Sequence, residues 1–294
     1  MKQKIRKYLN SQNWNIGFVN QGPVDLVGQR KLGEIQWMKH AYRDRFFADP
    51  FIYSVDSERI VVFAEECEFA NPKGRLVELE VDAKTKRLIE RRVLLELTTH
   101  LSYPIFLKKD TEVYVYPENG ASGRLAMYRY DSDSHSLIYE KDIIDEGLAD
   151  ATMFEESGVK WLFATRYSAS QEDLYLYKSD EETAFQLQST APVVVGRNCA
   201  RMAGNVFEVD GGKYRPAQNC SQRYGGGLEI MRIKSMEPYS EEPYLSIAPS
   251  SFRYNLGIHT LSFSNNIAVV DGYGYLYPII GRLLFFVRRV IKGR

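Results

Sequence analysis

The sequence predicts an all-β protein: a five-bladed β-propeller with a basic amphipathic C-terminal helix. Three observations carry this reading. A hairpin pattern recurs five times, starting at Asp49, Ser102, Asp150, Ala203 and His259, in steps of 53, 48, 53 and 56 residues. The 20 Tyr and 15 Phe sit mostly in short alternating runs, which mark strands rather than helices. Long helical periods are scarce. A strand-built period near 50 residues corresponds to one four-stranded blade per repeat. A β-sandwich shares the even strand spacing, but five similar hairpins favour the propeller.

Each repeat opens with a few apolar residues, turns, and runs back through a second apolar stretch. The first pairs Asp49–Val55 with Arg59–Glu66 and continues through Gly74–Val81 and Arg91–Leu97. The second pairs Ser102–Leu107 with Glu112–Glu118, then Gly123–Asp131 and Leu137–Asp142. The third pairs Asp150–Glu155 with Lys160–Arg166, then Asp173–Lys178 and Phe185–Ser189. The fourth pairs Ala203–Val209 with Lys213–Gln218, then Gly227–Ile233 and Tyr244–Ile247. The fifth pairs His259–Ser264 with Asn266–Asp271 and runs short, ending with Tyr275–Ile280. The early strand Asn13–Val19 is expected to complete the last blade and close the ring, which removes exposed sheet edges. The expected organisation is a basic segment 1–12, a propeller 13–278 and a helix 279–294.

The 294 residues carry 38 Lys+Arg and 38 Asp+Glu, a net charge of zero with an uneven distribution. Residues 1–24 hold four basic residues and no acid, and 272–294 hold five and no acid; the 29 remaining basic residues face all 38 acids, leaving the body at −9. An acidic body does not track a phosphate backbone, so the propeller is not expected to bind nucleic acid. No run approaches ~18 consecutive apolar residues, so no spanning helix is expected. Met1–Ile16 lacks the apolar core of a secretory signal. Three cysteines without paired spacing suit a reducing cytoplasm better than a disulfide framework or zinc site. No cofactor is required by these residues, and no dense carboxylate cluster demands a metal.

Projected on a helix, Ile279–Arg294 places Ile279, Ile280, Leu283, Leu284, Phe286, Val287, Val290 and Ile291 on one arc and Arg282, Arg288, Arg289 and Lys292 on the other. Such a helix lies in the interface of an anionic membrane. Packing on the propeller flank is the structural alternative. Lys2–Leu9 repeats the pattern weakly. The expected location is peripheral, on the cytoplasmic face of the plasma membrane.

In a propeller the first strand of each blade lines the central channel. Its start and the end of the second strand share one face, so both ends of each hairpin converge on an axial pocket. This gathers Asp49 with Glu65 and Glu66; His100, Ser102 and Tyr103 with Glu118; Asp150 with Arg166; Arg201 and Asn205 with Gln218; and His259 with Asp271. Convergent polar groups in one cavity are the usual form of a small-molecule site. Several members also have structural readings. Asp49 precedes Pro50 and suits a turn, Asp150 and Arg166 suit a salt bridge, the histidines suit the core, and Asp271 precedes Gly272. For Glu65 and Glu66 a solvated strand end is favoured. Carboxylates crowded in a cleft acquire split protonation states that can run glycosyl chemistry.

Phe46-Phe47-Ala48-Asp49-Pro50-Phe51 resembles the start of blade one in the five-bladed propellers of glycoside hydrolase family 43. The resemblance implies that Asp49 is a general base, that Asp150 tunes pKa and orients substrate, and that His259 is the axial histidine found near a central metal in some members. The family's acid is a Glu opening blade four, where this chain has Arg201-Met-Ala-Gly-Asn205. That departure points away from simple hydrolysis and leaves Glu118 as the candidate proton donor.

A closer resemblance spans most of residues 44–275. FFADPF, HLSYP, VYPEN, GLADATMF, WLFATR, CARMAGNVF and the late HTLSF and VVDG are similar to the N-terminal domain family of glucosamine inositolphosphorylceramide transferases. It implies carbohydrate handling, in a setting such as surface-polysaccharide or glycoconjugate synthesis. The expected function is therefore glycosyl transfer or glycosidic-bond chemistry on a glycan, nucleotide sugar or lipid-linked sugar. Asp49, Asp150 and Glu118 would be catalytic, and His100, Ser102, Tyr103, Arg166, Arg201, Asn205, Gln218 and His259 would bind substrate. The alternatives are a glycan-binding propeller that docks a biosynthetic enzyme, or a hydrolase like those of family 43.

Overall fold

A computed structural model describes residues 12–179 and 185–284. They form five antiparallel sheets arranged as the blades of a propeller. Blade I is β3 (Arg45–Val55), β4 (Arg59–Glu68), β5 (Gly74–Asp82) and β6 (Leu88–Leu95). Blade II is β7 (Phe106–Lys109), β8 (Glu112–Val115), β9 (Leu125–Asp131) and β10 (Ser136–Ile144). Blade III is β11 (Leu148–Glu156), β12 (Val159–Arg166) and β13 (Asp173–Ser179), edged by the short β14 (Gln186–Leu187) and β15 (Val194–Val195). Blade IV is β16 (Phe207–Val209), β17 (Gly212–Asn219), β18 (Gly227–Met236) and β19 (Tyr239–Ile247).

Blade V joins the two ends of the chain. β20 (Leu261–Ser264) and β21 (Ile267–Tyr275) are completed by β1 (Gln12–Val19) and β2 (Gln36–Trp37) from the N-terminal side. β1 lies antiparallel to β21 in register from Gln12↔Tyr275 to Val19↔Ala268, so the expected closing strand is present. The expected terminal strand Tyr275–Ile280 is not. β1 already occupies the edge of β21, and the chain instead turns into a short helix, residues 278–284. A second short helix, α1 (Pro23–Gln29), joins β1 to β2 and buries Leu26 against blades IV and V. The basic segment 1–11 and the tail 285–294 lie outside the described residues.

Each interface between neighbouring blades carries its own apolar cluster, illustrated by Phe63, Leu76, Val115 and Tyr128 between blades I and II, or Ile16, Phe47, Val62 and Val269 between V and I. A fully buried side chain of this size contributes about 2–3 kcal/mol, so alternate strand residues glue one blade to the next. The tyrosines suit these seams because the ring packs while the hydroxyl finds a partner. Tyr116 Oη in blade II accepts the N–H of Met153 in blade III at 3.2 Å, and Tyr130 Oη donates to Glu78 in blade I.

The channel-lining strands are broken at equivalent points. Asp49, Tyr103 and Asp150 have φ of 49°, 48° and 47°, and Gly204 has 146°. Left-handed residues cost an ordinary side chain of order 1–2 kcal/mol and gather at functional sites. The matching positions in blades II and IV are thus Tyr103 and Gly204, each one residue beyond the starts expected from sequence. β7, β16 and β20 are shorter than expected, and in blades II and IV the preceding residues join the sheet through the bridges Ser102↔Glu118 and Met202↔Ala217.

Candidate functional site

At two of these kinks Asp49 and Asp150 bring their carboxylates to the propeller axis, where acids from the returning strands join them, so that five carboxylates from four blades meet there. Asp49 and Glu65 come from blade I, Glu118 from II, Asp150 from III and Asp271 from V. All are at most 8% exposed. Asp49 Oδ1 accepts from Thr260 Oγ1 at 2.8 Å, and its Oδ2 accepts the N–H of Tyr103 at 3.2 Å. Its own N–H donates to Asp271 Oδ2 at 3.1 Å. Asp271 Oδ1 takes the N–H groups of His259 and Thr260 at 2.9 and 3.1 Å. The acids therefore also stitch the inner strands of blades I, II and V together.

Two cations balance part of this charge. Arg201 reaches Asp150 Oδ2 with Nε at 2.5 Å and Glu118 Oε2 with a terminal nitrogen at 3.0 Å. Gln218 Nε2 adds a 2.7 Å bond to the same Asp150 oxygen. His259 Nδ1 lies 2.5 Å from Asp271 Oδ2, and Nε2 lies 3.5 Å from Asp49 Oδ1. Its ring stacks on Trp14 at 4.0 Å, with Tyr224 edge-on at 5.3 Å. Burial pulls the His259 pKa down, but Asp271 and Asp49 outweigh it and the net shift is upward. Asp49, His259 and Asp271 have ligand atoms within 4.8 Å of one another. A cation could use them only by displacing the His259–Asp271 bond.

Glu65 has no cation of its own. Its Oε1 faces His100 Nε2 at 3.3 Å. His100 Nδ1 accepts the Gly74 N–H at 2.9 Å, so in the neutral ring the proton sits on Nε2 and points at Glu65. Burial, with Arg201 behind it, lowers the His100 pKa and keeps that ring neutral. Burial pushes Glu65 well above the carboxylate range, and the charges of Asp49, Glu118, Asp271 and Asp150 push it further. Burial also drives Asp49 up to about 6 against the pull of His259, with Asp150 and Asp271 adding to the rise. Glu118 is likewise raised by burial, against Arg201. One cluster thus holds Glu65, whose surroundings favour the protonated form, beside Asp49, raised to about 6.

Of the residues expected from sequence, Asp49, Asp150, Glu118, Arg201, Gln218 and His259 converge on the axis, and His100 joins through Glu65. Ser102 takes part through its backbone pair with Glu118. Tyr103 contributes its N–H to Asp49, while its hydroxyl turns into the core to meet Thr152 Oγ1 at 3.0 Å. Arg166 is elsewhere: it pairs with Glu146 at 2.7 Å and lies over the Tyr175 ring. The partner of Asp150 is Arg201. Asn205 points away from the acids and lines a cavity of about 620 Å³ with Phe106, Met153 and Lys160, at the other ends of the inner strands. Sequence reasoning set aside Glu65 and Asp271, and it did not name Tyr224 or Trp14. The strand alternation around Glu65 and Glu66 was the available signal, since adjacent strand residues cannot both face solvent.

Comparison with known proteins places this geometry. The chain is 29% identical over 288 residues to glucosamine inositolphosphorylceramide transferase 1 of Oryza sativa subsp. japonica, covering 85% of this chain and 38% of that protein. The protein of the same name from Arabidopsis thaliana is 27% identical over 247 residues, covering 77% of this chain and 32% of that one. This chain thus spans only about a third of the length of these relatives. Among solved structures, the catalytic domain of the Coprinopsis cinerea GH62 α-L-arabinofuranosidase superposes with a TM-score of 0.57 at 14% identity, covering 78% of this chain and 81% of that one. The family 117 glycoside hydrolase Zg3597 of Zobellia galactanivorans gives 0.55 at 12% identity, covering 81% and 89%. At such identities the likeness is one of fold. Residues 34–272 match the family described as "Glucosamine inositolphosphorylceramide transferase 1, N-terminal", and on that match, which covers most of its length, the chain belongs to this family.

Proposed function

We propose that the propeller binds and processes a carbohydrate at its axial acid cluster, as part of glycoconjugate or surface-polysaccharide assembly on the cytoplasmic side of a membrane. The observation that carries this reading is the convergence of five buried carboxyls on one axis, where burial and mutual repulsion split their protonation. Asp49, up at about 6, serves as the base, and Glu65, raised well above the carboxylate range and aligned by His100, serves as the proton donor. Two carboxyls with separated protonation states are what glycosyl chemistry needs. Glu118, the donor expected from sequence, is tied to Arg201 and to the Asp150 N–H. That arrangement suits charge balance and substrate orientation. The names of the relatives support carbohydrate handling, and three buried free thiols suit a reducing compartment.

Glycosyl transfer from a nucleotide sugar or lipid-linked sugar is favoured over hydrolysis, because the stretch 201–205 that opens blade four holds Arg201 and no Glu to match the hydrolase acid. A guanidinium there suits a phosphate or carboxylate on the substrate. The test is turnover with nucleotide sugars and short glycans. Asp49→Asn and Asp150→Asn should each lower it at least 100-fold, the usual worth of acid–base catalysis, with the fold retained by circular dichroism. Full activity in both variants would sink the proposal. A second reading, glycan binding without chemistry, is motivated by the same Arg201 clamp. It wins if wild-type protein binds a sugar saturably, turns none over, and loses binding in Arg201→Met.

A further inference from the structure

We propose that the face carrying the mouth of the axial cluster is a membrane-docking surface, so that the cluster opens toward an anionic bilayer and takes its sugar from a lipid carrier. The strand directions make this argument. Every inner strand runs from the axial-acid face to the opposite face, so β21 runs back and delivers the chain to the acid face at Tyr275. β1 enters at Gln12, which pairs with Tyr275. Both chain ends are therefore attached side by side at one face. Sequence puts four basic residues before Gln12 and five after Leu276, with no acid in either segment. The two basic ends, opposite in sequence, share one origin.

The described residues at that origin form an apolar patch with a basic rim. Phe252 is 67% exposed, Ile279 74% and Leu283 62%. The first turns of helix 278–284 thus present their apolar residues to solvent rather than to the propeller flank. The loop and the helix are in contact, since the Arg282 guanidinium lies over the Phe252 ring at 4.4 Å. Arg43 and Arg253 are both exposed, and both act on His40 and Tyr254. The acids at this face are held by neighbouring arginines: Asp44 and Glu68 by Arg45 at 2.7 and 3.3 Å, Glu96 by Arg75 at 3.0 Å, Glu146 by Arg166 at 2.7 Å and Glu172 by Arg197 at 3.2 Å. Apolar residues ringed by arginines, continued in sequence by Phe285, Phe286, Arg288 and Arg289, match an anionic lipid interface in both hydrophobicity and sign.

The patch and the acid cluster share this face. Tyr224, 41% exposed, sits edge-on to His259 and beneath Arg201. The neighbouring Gly225 carbonyl accepts the Ile258 N–H at 2.9 Å, and Gly257 bridges to Tyr273. A continuous path thus leads from the axis through Tyr224 to the loop that bears Phe252. The opposite face carries α1 beneath blades IV and V. A bilayer on the acid face brings a lipid-borne sugar to the mouth without leaving the interface. Only this substrate class rests on the carbohydrate reading; the docking surface stands without it.

The experiment uses the full chain and vesicles of phosphatidylcholine with and without phosphatidylglycerol. Flotation should occur with the anionic vesicles and weaken as salt rises. The double variant Phe252→Ser, Leu283→Ser should bind at least tenfold more weakly, with its melting temperature kept. Orientation is read from a fluorophore on Gln222→Cys, at the acid face, and on Asp133→Cys, at the far face, with lipid-borne quenchers. Quenching at 222 and not at 133 is expected. Flotation unaffected by the double variant, equal quenching at both positions, quenching at 133 alone, or a patch that instead pairs two copies of the chain would each overturn the proposal. Retained sugar binding without flotation would remove the docking surface alone. Flotation without sugar binding would remove the carbohydrate reading alone.

Discussion

Glu65 and Glu66 are neighbours on β4 and meet opposite fates. Glu66 points outward into three arginines, with Arg45 at 3.0 Å, Arg75 at 2.7 Å and Arg91 at 2.5 Å. Burial pushes its carboxyl up, but hydrogen bonds from Arg91, Arg75 and Arg45 overcome this and hold it below the ordinary value. Glu65 points inward to four other acids and a neutral imidazole, and is pushed the other way. The pleat separates them, since successive side chains leave a strand on opposite faces. One carboxylate is a structural tie across the strands of blade I. The other is kept where its charge is unfavourable, which is why the proposed function uses it as the proton donor.

The comparison can be broken at three points. The largest effect is expected from Glu66→Ala, which strands three arginines around a lost partner and should cost about 3 kcal/mol in urea unfolding. A cost below about 1 kcal/mol would mean that the arginines simply resolvate and the tie is weak. Next comes Gly74→Ala. A Cβ there would lie 2.3 Å from the Leu101 carbonyl oxygen and 2.6 Å from Glu65 Oε1. Overpacking of this kind should cost roughly 2 kcal/mol and displace the Glu65–His100 pair. Unchanged stability would show that this seam yields.

The smallest effect has the opposite sign. Glu65→Gln should raise stability at pH 8 by about 1 kcal/mol, because a neutral isostere removes the cost of holding a proton that the unfolded chain releases, and it should abolish any turnover that uses Glu65 as proton donor. The pH dependence follows from the direction of the shift. Glu65 holds its proton longer in the folded chain than in the unfolded one, so stability falls as pH rises from its ordinary value of 4.5 toward its raised folded value. Asp49 adds the same slope between 3.8 and about 6. His259 adds to it from the other sign of charge. Its raised pKa contributes stability that is full below 6.5 and lost as pH rises through the folded value. Thermal melts from pH 4 to 9 should therefore decline toward alkaline pH, less steeply in Glu65→Gln. Parallel profiles would place the proton elsewhere.

Much of the architecture was legible because it is periodic. Alternating apolar runs at even spacing report strands, and the first four starts fell on, or one residue before, the left-handed positions Asp49, Tyr103, Asp150 and Gly204. The offsets at Tyr103 and Gly204 were hidden because a left-handed residue leaves no hydrophobic signature. Among the site residues, Asp49, Asp150 and Glu118 were readable as strand-end carboxylates. The partner of Asp150 was not, because Arg166, near in sequence register, and Arg201, from the next blade, look alike until the blades are packed. Tyr224 lies in a turn between β17 and β18, where sequence gives no reason to aim a ring at His259.

The sequence by itself determined the blade number, the closing strand, the acidic body and the two basic ends, since each depends on local pattern and composition. Only the tertiary structure decided which acids share a cluster, that Glu65 rather than Glu66 faces the axis, and that both basic ends start from one face. Those facts depend on strand direction and on contacts across blades, and residues as far apart as Asp49 and Asp271 meet only when the ring closes.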